Sequence, residues 1–143
     1  MSSSPAPRLV IFDCDGVLID SEIIAARAQS RALAEHGIAI TPQEAARRFA
    51  GIPDADMWQT LQDENARVLP EDFPRAYADR LQDTFRQELR ALPGVRETLA
   101  ALRERGIEYC VASSSTPPKL EAALKLVGLW AVSYTHLTLP TKA

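Results

Sequence analysis

Close to the amino terminus, Leu9-Val10-Ile11-Phe12 runs directly into Asp13-Cys14-Asp15-Gly16. Four consecutive apolar residues are long enough for a strand of a buried parallel sheet and too few for a helix. Side chains alternate along a strand, so Asp13 and Asp15 are expected to project to the same side where the strand stops, beside a turn at Gly16. Two carboxylates placed in this way suit a hard divalent cation. They equally suit a nucleophile paired with an acid/base. Asp-x-Asp alone is common at polar strand ends. Here the apolar lead, both acids, Gly16 and the following Val17-Leu18-Ile19-Asp20-Ser21-Glu22 occur together, and the combination points to function.

The rest of the chain must supply the layers that such a strand needs. Its 143 residues allow one ordinary domain or a small domain with an insert, and 46% hydrophobic residues provide material for a core. A net charge of −3 argues against a nucleic-acid or membrane-surface partner. No apolar run approaches the roughly 20 residues of a membrane span. Met1–Pro7 lacks the basic and apolar regions of a secretion signal, so residues 1–7 are expected to be a disordered lead-in to a cytoplasmic protein. Cys14 and Cys110, in or beside predicted core strands, are expected as buried packing thiols in a reducing compartment.

After the opening strand, Asp20 or Ser21 can cap a helix running to about His36. Thr41-Pro42-Gln43-Glu44 supplies a capping box with proline at the first helical position, and Asp54 can cap the next helix. Tyr77, Leu81, Phe85 and Leu89, each four apart, predict a further long helix from about Pro74. Ser21–Ala91 therefore reads as about four helices in a bundle, with Met57, Trp58, Tyr77 and Phe85 in its core. The pattern changes at Leu92-Pro93-Gly94. A short helix with Val95, Leu99 and Leu102 inward leads to a second strand, Tyr109–Ala112, and then to a helix starting at Thr116-Pro117. Strand, helical insert, helix, strand and helix make an α/β core interrupted by a bundle, because a right-handed crossover leaves the two strands as parallel neighbours. Ligands of open α/β sheets bind beyond the carboxyl ends of strands. The hydroxyls of Ser113–Ser115 and the helix start behind them could then seat a phosphate beside Asp13 and Asp15.

Asp13–Glu22 resembles the first signature of the haloacid-dehalogenase-like phosphatases, in the subgroup of β-phosphoglucomutase and the sugar-phosphate and phosphoglycolate phosphatases. Val111–Ser115 is similar to the second signature, with Ser113 in the phosphate-binding position. The resemblance implies a Rossmann-like core with an inserted all-helical cap. Residues 8–20 would hold the first strand and catalytic loop, 21–91 the cap, and 92–131 the second part of the core. It implies Asp13 as nucleophile, Asp15 as acid/base, and Gly16, Ser113 and Ser114 around the phosphate. It also implies Mg²⁺ held by Asp13 and Asp15, the latter through its backbone carbonyl, and a small phosphorylated metabolite as substrate. Arg47 and Arg48 are the cap residues expected to bear on substrate choice.

The match has limits. The family's later lysine and its further metal-binding acids find no counterpart here, and the helix lysines Lys119 and Lys125 read as a solvated face. Val132–Thr141 lacks helical period and resembles a translated sequencing adapter, so residues 132–143 are expected to be a non-native tail in which His136 has no role. A chain with two strands and half of the family's acids is expected to be poorly stable and inactive by itself. Two other readings stand beside the hydrolase. One is a phosphosugar mutase using the same Asp13. The other is a non-catalytic helical interaction module, which would leave Asp13, Asp15 and Ser113 unexplained.

Overall fold

A computed structural model of the chain describes Pro5 and residues 7–133. In chain order the elements are β1 (Leu9–Phe12), α1 (Ser21–Ala34), α2 (Pro42–Phe49), α3 (Asp54–Asn65), α4 (Phe73–Glu88), α5 (Val95–Glu104), β2 (Glu108–Val111), α6 (Pro117–Leu126) and α7 (Trp130–Ser133). They form two compact units. One joins the stretch up to Ser21 with that from Leu89 onward, and the other is Glu22–Glu88.

The Glu22–Glu88 unit is all helical and has its own core. Leu33 and Ile38 are fully buried, and Met57, Trp58, Leu61, Phe73 and Tyr77 pack into the same cluster. Trp58 meets Phe73 and Tyr77 edge-to-face, with ring centroids 5.2 Å and 5.7 Å apart. Each such contact is worth about 0.5–1.5 kcal/mol beyond the area it buries. The expected cap at Thr41 is present: its Oγ1 accepts a hydrogen bond from the Glu44 N–H at 3.1 Å, and Pro42 opens α2. The cap expected at Asp54 is not. Pro53 takes the cap position of α3 without a side-chain bond, and the Asp54 carboxylate accepts from the buried Gln29 amide at 3.3 Å.

In the other unit, β1 and β2 are parallel, with Leu9 opposite Glu108 and Phe12 opposite Val111. Among the described residues this is a two-stranded sheet. One face carries Tyr109 and Val111, both buried, with Val10 and Phe12 half-buried beside them, and the Phe12 and Tyr109 rings meet edge-to-face at 6.2 Å. The other face departs from expectation. Leu9 and Ile11 are 48% and 57% exposed, and Cys110 beside them is half-buried instead of enclosed. An apolar run is buried on both faces only where layers lie on both, and the described residues supply a layer on one. A long contact closes the end of α6: the Arg96 guanidinium on α5 donates to the carbonyls of Val127 and Gly128. A cation at the carbonyl end of a helix satisfies acceptors the helix leaves open.

The chain passes between the units on paired backbone. Ile19 bridges Ala91, the Asp20 N–H donates to the Arg90 carbonyl at 3.1 Å, and the Leu92 N–H donates to the Leu18 carbonyl at 2.9 Å. This ribbon is why Ser21 and Leu89-Arg90-Ala91 belong with the strands instead of with the helices. Val132 and Ser133, expected to begin the non-native tail, are the last residues of α7, and the Val132 carbonyl accepts from the Tyr109 hydroxyl at 2.7 Å. The rest of that expectation, Tyr134–Ala143, lies outside the described residues. No helix among the described residues is long and apolar enough to cross a membrane.

Candidate active site

β1 ends at Phe12, so Asp13 and Asp15 sit on the loop after the strand instead of on its pleat. The ladder closes with the Ala112 N–H donating to the Phe12 carbonyl at 2.8 Å, and the chain leaves both strands side by side. Asp13 follows β1 immediately and Ser113 follows β2 by one residue more. Asp13 is exposed, with one carboxylate oxygen accepting from the Cys14 N–H at 2.7 Å.

What carries Asp15 back to the site is a tight turn. The Cys14 carbonyl accepts from the N–H groups of Val17, Leu18 and Ile19 at 3.2, 2.8 and 3.2 Å, and the Gly16 N–H donates to Ile19 at 2.9 Å. Gly16 has φ of +73°, a conformation that costs other residues about 1–2 kcal/mol. Cys14 anchors this turn in the core. Burial, then the charges of Asp15 and Asp13, push its thiol up to about 12, so it packs as a neutral group and has no thiolate to offer.

Asp15 is half-buried and both of its oxygens are engaged. Oδ1 accepts from the Ser21 hydroxyl at 2.6 Å, and Oδ2 accepts from the Ser115 hydroxyl at 3.3 Å. The second bond joins residues a hundred positions apart and ties the loop after β1 to the loop after β2. In that second loop the buried Ser113 hydroxyl accepts from the Ser115 N–H at 3.1 Å, while Ser114 is exposed. Behind it Thr116 caps α6 in extended backbone without a side-chain bond, and Pro117 and Pro118, which have no N–H, fill the first two helical positions, so the hydroxyls of the serine loop are the main donors here.

The sequence-predicted residues thus divide. Asp13, Asp15, Gly16, Ser113 and Ser114 gather at the carboxyl ends of the two strands. Arg47 and Arg48 lie on α2 of the helical unit. Arg48 is spoken for: its guanidinium meets Glu44 at 3.3 Å and Glu64 at 2.5 Å, and lies 4.8 Å from the Phe49 ring centroid. Arg47 is exposed and enters none of the ion pairs formed among the described residues. Two residues were not singled out from the sequence. Ser115 was one hydroxyl in a run of three, and Ser21 reads locally as a helix cap; their common partner Asp15 is visible only in three dimensions.

Oxygen donors suited to a hard cation are present in part. The Asp13 carboxylate is exposed, and no backbone hydrogen bond among the described residues ends on the Asp15 carbonyl, although its neighbour at Cys14 takes three. Such oxygens fit Mg²⁺. Among the described residues no group of three or more His, Cys, Asp or Glu side chains is arranged around a metal position.

Comparison with known proteins accords with this arrangement. The chain is 30% identical over 116 residues to the 6-phosphogluconate phosphatase of Escherichia coli K12, covering 80% of this chain and 51% of that one. It is 33% identical over 138 residues to hexitol phosphatase B of the same organism, covering 90% and 59%. The crystal structure of a HAD family hydrolase from Deinococcus radiodurans R1, which holds bound phosphate and sodium, superposes with a TM-score of 0.82 at 30% identity, covering 94% of this chain and 58% of that one. The chain therefore spans about half the length of the curated relatives it matches. The family model described as haloacid dehalogenase-like hydrolase matches residues 10–134, and the chain belongs to that family.

Proposed function

We propose that the chain carries the nucleophile, acid/base and phosphate seat of a phosphomonoester hydrolase acting on a small phosphorylated metabolite of the sugar-phosphate type. Asp13 attacks phosphorus as the bond to the leaving oxygen breaks, and Asp15 gives that oxygen its proton. Asp15 then takes a proton from the water that attacks the aspartyl-phosphate, which releases phosphate and restores Asp13. The Ser113 and Ser114 hydroxyls donate to the phosphoryl oxygens, where preorganised donors are worth most, whereas the Gly16 N–H is taken by the Ile19 carbonyl and shapes the turn beside them. Mg²⁺, held by the Asp13 carboxylate and the Asp15 carbonyl, would supply the positive charge that offsets repulsion between Asp13 and the phosphate. On α2 of the helical unit, Arg48 is committed to Glu44 and Glu64, whereas Arg47 is exposed and enters none of the ion pairs formed among the described residues.

The observation that carries this reading is the parallel pairing of β1 and β2, which delivers the acidic loop and the serine loop to one end of the strands, where Asp15 and Ser115 meet at 3.3 Å. Relatives named as phosphatases of 6-phosphogluconate and hexitol phosphates support the substrate class. The test is phosphate release from a panel of sugar phosphates and phosphoglycolate, using the protein expressed from the intact gene with Mg²⁺ present. Release from at least one of them is expected. Isomerised sugar phosphate without release would make the protein a mutase, and binding without turnover would make it neither.

A further inference from the structure

The start of α1 contains two residues suited to cap it, and both are used elsewhere. The Asp20 carboxylate accepts from the Arg90 N–H at 2.9 Å, and the buried Ser21 hydroxyl donates to Asp15 Oδ1 at 2.6 Å. Departures from local preference of this kind cluster at functional positions. The two hydroxyl contacts to Asp15 are also unequal, at 2.6 Å from Ser21 and 3.3 Å from Ser115. The first lies at the short end of O–H···O bonds to a carboxylate, and the second is beyond the usual range.

We propose that Ser21 is a positioning residue that fixes Asp15 by Oδ1, which leaves Oδ2 as the oxygen that exchanges a proton with the substrate. The inference rests on the acid/base role given to Asp15 above. Ser115 releases Oδ2 when the leaving oxygen arrives. The proton then passes from Oδ2 to that oxygen as its bond to phosphorus breaks and the Asp13–phosphorus bond forms. Ser21 touches neither substrate nor phosphate; it holds the carboxylate in one orientation while Oδ2 works. Its hydroxyl can do so in either protonation state, because the proton comes and goes at Oδ2 and Oδ1 remains an acceptor throughout.

The test is the dependence of kcat/KM on leaving-group pKa across a series of aryl and alkyl phosphates, with the protein expressed from the intact gene. Leaving groups that depart unaided need little from a general acid, and alkoxides need it most. Ser21→Ala is expected to lower kcat/KM about 10- to 100-fold for alkyl phosphates, the penalty of a slightly misplaced group, and much less for nitrophenyl phosphates. Ser21→Thr should restore the wild-type slope, and Ser115→Ala should steepen it less than Ser21→Ala does. If Ser21→Ala does not fold, Ser21→Cys, nearly equal in size and a weak donor, is expected to show the same steepening. A uniform loss across all leaving groups, or no rescue by threonine, overturns the inference. Asp15→Asn in the same series separates the two levels. If it fails to steepen the slope, the acid/base assignment itself is wrong; if it steepens while Ser21→Ala does not, only the role of Ser21 falls.

Discussion

Asp13 and Asp15 differ in their surroundings as their proposed roles require. Asp13 is exposed, with an oxygen braced by its neighbour's N–H, whereas Asp15 is half-buried with a hydroxyl on each oxygen. Asp15→Asn is expected to lower phosphate release about 10²- to 10⁴-fold, the usual worth of general acid–base help, as measured by steady-state kinetics. Cys14, between them, is a packing residue. At neutral pH without denaturant, a thiol reagent is expected to modify the half-buried Cys110 and to reach Cys14 only on unfolding. Fast labelling of both would place Cys14 outside the core. At this scale much was legible in the sequence, because the acids, Gly16 and Ser113 are neighbours along the chain or begin a recognisable turn. Ser21 was misread for a physical reason. A serine at a helix start has a local use as a cap, and its actual partner depends on how the loop at Gly16 folds back. Arg48 was offered as a substrate residue, and nothing local announces that Glu64, sixteen residues on, pairs with it.

Among the elements, helices and strands lie close to where their patterns put them, and the burial of the strands is what departed. Period and caps place α2 and α5 closely, since those signals are local. Leu9–Phe12 reads as a strand buried on both faces, yet burial depends on layers that lie elsewhere in the chain. Two element-level outcomes are expected. Ala66 ends α3 in the left-handed region with φ of +48°, where a Cβ is costly. Ala66→Gly should stabilise the protein by about 1 kcal/mol in urea unfolding, after glycine's extra entropy in the unfolded chain is set against the relieved strain. Burial, and then the charge of Asp54, raise the Tyr77 phenol above its ordinary value. An acid whose folded pKa is raised contributes stability that is present below its unfolded pKa and is lost as pH rises through the folded one. Stability should therefore fall as pH climbs above about 10, and Tyr77→Phe should lessen that fall. An unchanged alkaline slope in Tyr77→Phe would contradict the assignment.

The whole molecule is two compact units that differ in how far their described residues enclose their apolar faces. The helical unit encloses its own aromatic core, whereas the strand pair presents Leu9 and Ile11 to solvent. In hydrogen exchange of this 143-residue chain, the amides of Leu33 and Leu61 are expected to outlast those of β1. Asp13 and Asp15 enter none of the ion pairs formed among the described residues, and two carboxylates without a cation are a poor seat for a phosphate dianion. Phosphate release is therefore expected to require Mg²⁺ and to stop when the ion is removed by a chelator. Family membership was legible from two short motifs. How many layers and charges complete the site was not, because the stretch matched here spans only 51% of the 6-phosphogluconate phosphatase it resembles.

Asp13 as nucleophile predicts an acyl phosphate on its side chain, which chemical trapping detects. The protein expressed from the intact gene, quenched during turnover and treated with borohydride, should carry homoserine at position 13, found by mass spectrometry of the peptide spanning β1 and the Gly16 turn. Homoserine at another aspartate, or steady turnover by Asp13→Asn, would place the nucleophile elsewhere.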